Sequence, residues 1–527
     1  MSAKPFEVPV NERQLFLDDH GVASTENLKH TLHPPEKKGA VIEPQLPNET
    51  SLQIRGAPAW DPVAGCFRIW LMADGGIALA ESDDGLHWHR PILRCTEHRG
   101  SLENSLVKGP CGGQVIFDPH DPDTSRRYKS MSLRGAKERV VSPIEQHWKL
   151  GHNPWRLAYD RGHVLNNTRQ YQMSWVIKVQ ERPNAPAEER YEGMGCFQTR
   201  DLTVSPDGIH WRVLDCPGLP TGDEGNMSFD EQTGTYIATL KEGEMGPHGR
   251  SIALATSKDF ENWTQPELVF HADEKDMALA KEHIAERLAN PQMVQPTYNV
   301  PEEYFVDVYN MGVFRYEGLY IGMPAFFHHT GDVNENSDGL HIVQLASSRN
   351  LHDWNRVGRR AAFITPSPID SGHYDLSQIM PPSRPVLMNG ELWFYYFGGK
   401  YRSHKEDDDP KTGGVCLAVL RRDGFVSLDA GDTQGSALTD AFLLPSPWLF
   451  ANVDAANGSV QVEVIDESGS PIAESEPIKG DHPRYPVQWK TGDLAAFVNR
   501  PVQLRLKASK ASIYSYWFDE VTEPAPH

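Results

Sequence analysis

Short runs in which apolar and polar residues alternate dominate this chain. IALAES (77–82), DLTVSP (201–206), IALATS (252–257) and IVQLASS (342–348) carry period two, the spacing of a strand with one buried face. Each leads into the same heptad, S-x-[D/N]-x-x-x-W: SDDGLHW at Ser82–Trp88, SPDGIHW at Ser205–Trp211, SKDFENW at Ser257–Trp263 and SRNLHDW at Ser348–Trp354. Asp and Asn close tight turns by accepting hydrogen bonds from the backbone just ahead, Gly supplies positive φ, and Trp offers a broad apolar face to a neighbouring sheet. Ahead of the heptads stand hairpin patterns at 59–73, 113–133, 226–240 and 309–323. A fifth hairpin, RPVLMNGELWFYYFGG (384–399), precedes VCLAVLRRDGFVSL (415–428), where DGF replaces the Trp motif. Five antiparallel units in series predict an all-β protein built on a five-bladed β-propeller.

Unequal spacing of the heptads places insertions between units. Arg134–Arg169 reads as an irregular loop over one face. Asp273–Val300 contains EKDMALAKEHIAERLA, whose i, i+3, i+4 apolar spacing ahead of Pro291 predicts a helix. Beyond about residue 435 the pattern shifts to WLFANVDA, SVQVEVID, VQLRLKA and SIYSYWFDE, with a hairpin turn at ESG (467–469). The expected organisation is a propeller over 1–434 followed by a C-terminal β-sandwich over 435–527.

The 527 residues carry 51 Lys+Arg against 72 Asp+Glu, a formal net charge of −21. An acidic surface argues against nucleic acid and anionic membranes as partners. No apolar run approaches the length of a bilayer span and no apolar leader segment is visible, so a cytoplasmic location is expected. The six cysteines are scattered without C-x-x-C and read as reduced thiols.

With its SxDGxxW turns, its DP hairpins (Asp61–Pro62, Asp118–Pro119) and its appended strands, the chain resembles the propeller-plus-sandwich glycosidases of glycoside hydrolase families 43 and 32. It is more similar still to bacterial proteins labelled family 32-like, through QLFLDD (14–19), DPHDPDTSRRYK (118–129), RYEGLYIG (315–322), LRRDGFVSLDAG (420–431) and VDAANGSVQVEVID (453–466). The resemblance implies a glycosidase with an oligosaccharide substrate. The W-x-N-D-P-N-G, R-D-P and E-C elements that carry the acids of families 43 and 32 are absent as written, so the acids have to be sought by position.

Glycoside hydrolysis needs two carboxyls flanking the scissile bond, one protonated and the other a base or nucleophile. In a propeller the innermost strand of each blade delivers residues to the axial funnel, and every unit offers an acid near that strand: Glu49, Glu103, Asp223 with Glu224, Asp307, and Asp375. Asp307 lies in the apolar stretch YFVDVYN, where burial would raise a carboxyl's pKa and suit a proton donor. It is the expected general acid, with Glu49 and Glu224 as base and transition-state stabiliser. Glu103, Asn104, Asp223, Tyr309, His328, Asp375 and His404 are the expected substrate-binding residues. Asp61, Asp118 and Asp230 sit in hairpin turns and read as structural. No cofactor is expected, with room only for a structural cation on the propeller axis.

The expected activity is exo hydrolysis that releases a terminal sugar from a small oligosaccharide. Two rivals share the scaffold. A carbohydrate-binding propeller without catalysis would bind sugars and release no product; a phosphorylase or transferase would depend on phosphate.

Overall fold

The computed structural model describes residues 6–46, 49–143, 163–165, 169–242, 248–333, 336–402 and 409–520. They form an all-β protein with a single α-helix among the described residues, Glu274–Ala289. Five antiparallel sheets succeed one another along the chain. The first holds Ala59–Asp61, Cys66–Ala73 and Gly76–Ser82. The second is widened to seven strands around the long Tyr128–Ser142, Arg169–Glu181 and Tyr191–Ser205. The expected irregular loop at Arg134–Arg169 therefore begins and ends as strand; residues 144–162 lie outside the described residues. The third sheet runs Gly225–Asp230, Thr235–Glu242, Ser251–Ser257 and Glu267–Phe270. The fourth is built on the hairpin of Phe305–Tyr316 and Leu319–Val333. In the fifth, Gln378–Met380, Glu391–Gly399 and Gly413–Arg421 are followed by Glu36–Ile42, so an N-terminal strand completes the unit that lacks its own Trp heptad.

All four heptads fold alike. Ser82 Oγ accepts from the Gly85 N–H at 2.9 Å, Asp84 Oδ1 accepts from the Leu86 and His87 N–H groups at 2.8 Å, and Trp88 Nε1 donates to the Gly85 carbonyl at 2.9 Å. The same bonds recur at Ser205–Trp211, Ser257–Trp263 and Ser348–Trp354. The fourth residue of each turn has positive φ: 75° at Gly85 and Gly208, 68° at Phe260 and 69° at Leu351. Phe260 and Leu351 are buried, and that burial offsets the left-handed strain. Three of the Trp rings visibly join sheets: Trp88 meets Tyr395 of the fifth, Trp211 meets Trp70 of the first, and Trp354 meets Phe270 of the third.

This geometry makes Gly208→Ala costly. The new Cβ would lie 2.7 Å from Trp70 Cζ2 at a φ of +75°. A loss of about 1–3 kcal/mol is expected in urea unfolding. Gly234→Ala, at φ +63° with nothing within 4 Å, isolates the strain alone and should cost less.

A second device links consecutive sheets. The hairpin aspartates accept phenol protons from the next sheet: Asp61 from Tyr128, Asp118 from Tyr236, and Asp230 from Tyr320 at 2.7 Å. Their turns mark these three as structural, and so they are placed. Beneath Asp118, the wholly buried Lys129 holds its Nζ 3.0 Å from Asp118 and 2.8 Å from Asp121.

The C-terminal strands belong to a sheet of 12 strands that also takes Gln14–Leu15, Val22–Glu26, Leu28–Leu32 and Val426–Ala430. The expected boundary after residue 434 falls inside this sheet, between Val426–Ala430 and Gly435–Thr439. Sheet edges pair with whatever strand covers them, irrespective of distance along the chain. Asp423, the acid of the DGF turn, is the buried junction: it pairs with Arg13 at 2.5 Å and accepts from Tyr316 at 2.7 Å and Ser515 at 2.6 Å.

The helix starts where the sequence places it. Asp273 caps it through a reciprocal box with Asp276. Ile284 packs it onto Leu340 and Ile342 of the fourth sheet.

Candidate active site

The first strands of all five sheets converge on one region. Gln114, just ahead of Val115–Phe117, donates to the Gly225 carbonyl at 3.0 Å. Asn226 donates to Asn310 Oδ1 at 3.3 Å and to the Pro381 carbonyl at 3.4 Å, and the Ala57 N–H donates to Ser383 Oγ at 3.1 Å. Gln114, Asn226 and Asn310 are all buried, and each finds a partner from another sheet.

Charged side chains gather beside this junction. Glu224 is gripped by Arg55, with Nε at 2.7 Å and Nη2 at 2.5 Å, and accepts from Asn310 Nδ2 at 3.2 Å. Asp223 pairs with Lys241, whose Nζ also lies 4.4 Å from the centre of the Tyr309 ring. Arg250 lies 3.0 Å from Asp307 Oδ2 through Nη1 and 3.2 Å from it through its backbone N–H. His329 Nε2 stands 3.2 Å from the other oxygen of Asp307. The ladder slips between Val308 and Asn310, leaving Tyr309 as an extra residue. Bulges of this kind re-aim side chains: the Tyr309 ring meets Lys241, Arg250 and Arg402, while Asn310 reaches Glu224.

The charges around Asp307 run against the proton-donor role expected of it. Burial does push its carboxyl up, but Arg250 and His329 outweigh that and hold it at about 2. The ionised form is thereby favoured, which disfavours a resting proton donor. Asp223 follows the same logic, its burial offset by Lys241 so that it too lies below the usual range. His329 is pushed down to about 3, because burial outweighs the pull of Asp307. The centre thus holds ionised aspartates, buried cations and neutral imidazole.

The other expected site residues are dispersed. Glu49 accepts from the Gln45 and Leu46 N–H groups at 2.9 and 3.1 Å and pairs with Arg90, so it closes its own turn. Glu103 is exposed and bidentate to Arg94 at 2.7 and 3.0 Å. Asn104 donates to the Thr96 and Ser101 carbonyls and accepts from the Leu106 N–H. Leu106 bridges Ala78 beyond the last strand of the first sheet, which puts this loop at the sheet's outer side and away from the junction. Asp375 is wholly buried, 2.8 Å from Lys37 and 2.7 Å from the Tyr396 hydroxyl. It therefore anchors the N-terminal strand in the fifth sheet. His328 faces away from His329, as strand alternation demands, and meets His283 of the helix at 3.0 Å. His404 lies outside the described residues. The structure thus brings together Asp223, Glu224, Asp307 and Tyr309, and adds Arg55, Arg200, Lys241, Arg250, Asn310 and His329. Lys241 and Arg250 carried a faint signal, since they lie next to the end of the strand Thr235–Glu242 and just ahead of the strand Ser251–Ser257.

Among the described residues no group of three or more His, Cys, Asp or Glu side chains is placed to hold a metal ion. No helix among them is long and apolar enough to cross a membrane. The large cavity of about 1120 Å³ lies between Phe16–His20, Leu28–Leu32 and residues 349–361, and none of the clustered residues lines it.

No family model matches this chain, and no curated protein matches it in sequence. Solved structures that resemble it include one described as a glycoside hydrolase, 13% identical with a TM-score of 0.36 and covering 74% of this chain and 92% of that one. A structure described under the GH130 family of mannoside phosphorylases, containing glycoside hydrolases that target beta-1,2 mannosidic linkages in Candida mannan, is 11% identical with a TM-score of 0.34, covering 74% and 94%. An N-acetylgalactosamine deacetylase from F. plautii, in complex with blood group B trisaccharide, is 12% identical with a TM-score of 0.31, covering 91% and 95%.

Proposed function

We propose that this protein is a glycoside hydrolase in which the five serial sheets are the blades of a β-propeller and the 12-stranded sheet is its β-sandwich companion, as in families 43 and 32. The ring of contacts through Gln114, Gly225, Asn226, Asn310 and Pro381 supports the blade reading, as does the N-terminal strand that completes the fifth sheet. One observation carries the function: Glu224, immediately ahead of the first strand of the third sheet, and Asp307, on the first strand of the fourth, are each clamped by a buried arginine beside the half-buried ring of Tyr309. Paired acids beside an aromatic platform are what glycosidic cleavage uses. Asp307, being ionised, takes the part of base, nucleophile or stabiliser of an oxocarbenium-like transition state. The proton for the leaving oxygen comes from another group. Glu49, bound in its own turn, takes no part.

In this reading the substrate is a small oligosaccharide met in the cytoplasm, attacked at its end. The test is a panel of 4-nitrophenyl glycosides, neutral and acidic, assayed with and without inorganic phosphate. Release of nitrophenol independent of phosphate is expected. Strict phosphate dependence would replace hydrolysis by phosphorolysis, and binding without release from any glycoside would leave a sugar-binding protein.

A further inference from the structure

Three of the cations at the centre have acids of their own: Arg55 has Glu224, Lys241 has Asp223, and Arg250 has Asp307. Two do not. Arg200 is 4% exposed, donates to the Asp223 backbone carbonyl at 2.5 Å, and leaves its Nε without a hydrogen-bond partner. No carboxylate among the described residues lies within ion-pairing distance of it. Its guanidinium is pulled below its ordinary pKa by burial, against the attraction of Glu224 and Asp223. Arg402 places its guanidinium 5.7 Å from the Tyr309 ring and 5.1 Å from the Phe327 ring, again with an unpartnered Nε and no acid in reach among the described residues. Next to it His341 is wholly buried with both ring nitrogens unpartnered among the described residues, stacked 4.6 Å from Phe327 and edge-on to Tyr309 at 5.1 Å. Among the described residues, the five cations outnumber the carboxylates even with the buried Glu242 counted beside Asp223, Glu224 and Asp307.

A buried cation with no carboxylate at ion-pairing distance is costly, and an anionic group on a ligand would lower that cost. We propose that Arg200, against the Asp223 backbone, and Arg402, against the Tyr309 ring, receive an oxyanion carried by the sugar, so that the site takes an acidic sugar such as a uronate or a sulfated residue. This inference rests on the glycoside-acting reading of the same site. The chain's net charge of −21 sharpens the class. Its acidic exterior repels a long polyanion, whereas a single charged group on a small ligand meets only the local excess of cations inside.

Calorimetry with glucuronate, galacturonate, glucose, galactose and inorganic phosphate tests it. Wild-type protein should bind a uronate at least tenfold more tightly than the matching neutral sugar. Arg200→Gln and Arg402→Gln should each weaken uronate binding tenfold or more and weaken neutral-sugar binding by a clearly smaller factor, so that the preference for the uronate falls. Thermal melts establish that each variant folds; if Arg200→Gln does not, the more exposed Arg402 decides. Equal binding of neutral and acidic sugars, no uronate binding, or unchanged binding in the folded variants overturns the proposal. Binding of inorganic phosphate alone also overturns it, by identifying the anion as a free co-substrate. The two readings fail separately: uronate binding without glycoside cleavage removes the hydrolase and keeps the anion site, while cleavage of neutral glycosides without uronate binding does the reverse.

Discussion

Glu224→Gln and Asp307→Asn should each lower turnover by about 10²–10⁴-fold, the scale of losing a base or a positioned charge at the reacting centre. Both amides keep the shape of the side chain while removing the charge that Arg55 and Arg250 hold in place. Glu49→Gln serves as the comparison, because Glu49 is committed to the Gln45 and Leu46 amides and Arg90, and it should leave turnover within a fewfold of wild type. Near-normal rates in both Glu224→Gln and Asp307→Asn, with melts unchanged, would sink the site assignment. The pH profile adds a separate check. With Asp307 held at about 2, no limb of the rate profile between pH 4 and 8 belongs to it, so whatever limbs wild type shows there should persist in the residual activity of Asp307→Asn.

Asp118→Ala is expected to be among the most destabilising single changes in the chain. Asp118 is the counter-charge of Lys129, which is wholly buried, and it also accepts the Tyr236 hydroxyl from the third sheet. Removing one partner of a buried pair costs about 3–5 kcal/mol, since the other is left charged and unsolvated. Asp121 retains some compensation at 2.8 Å, which favours the lower end of that range. Urea unfolding at neutral pH measures it, and a loss below about 1 kcal/mol would show that Lys129 does not depend on Asp118. Asp118→Ala/Lys129→Met, which deletes both charges, should recover part of the loss.

The pH dependence follows from the sign of the shift. Burial pushes the Asp118 carboxyl up, but Tyr236 and Lys129 bring it below its ordinary value. Its contribution is therefore fully present above the unfolded pKa of about 3.9 and is lost as pH falls through the lower folded value. The gap between wild type and Asp118→Ala should be constant from pH 5 to 8 and narrow in stronger acid.

What sequence alone determined in this protein is its local chemistry. The four Trp heptads were legible because every bond in them joins residues two or three positions apart: Ser82 to Gly85, Asp84 to His87, Trp88 to Gly85. The helix over Glu274–Ala289 was legible for the same reason, since its cap lies three residues from its partner. The structural aspartates of the hairpins were readable as turn residues, although their tyrosine partners on the next sheet were not.

Tertiary structure decided everything that depends on which strands become neighbours. Of the acids near the first strands, Asp223, Glu224 and Asp307 gather at the junction, whereas Glu103 and Asn104 lie on the outer side of the first sheet and Asp375 is buried against Lys37 and Tyr396. Asp307 looked like a proton donor because its own stretch is apolar; Arg250, 57 residues away, reverses that by supplying a positive charge the local sequence does not contain. Arg55 and Glu224 are 169 residues apart, and Lys37 closes a sheet whose other strands begin beyond residue 377. A carboxylate's role is set by the charges within a few ångströms of it, and those arrive through sheet pairing and not through neighbouring positions in the chain.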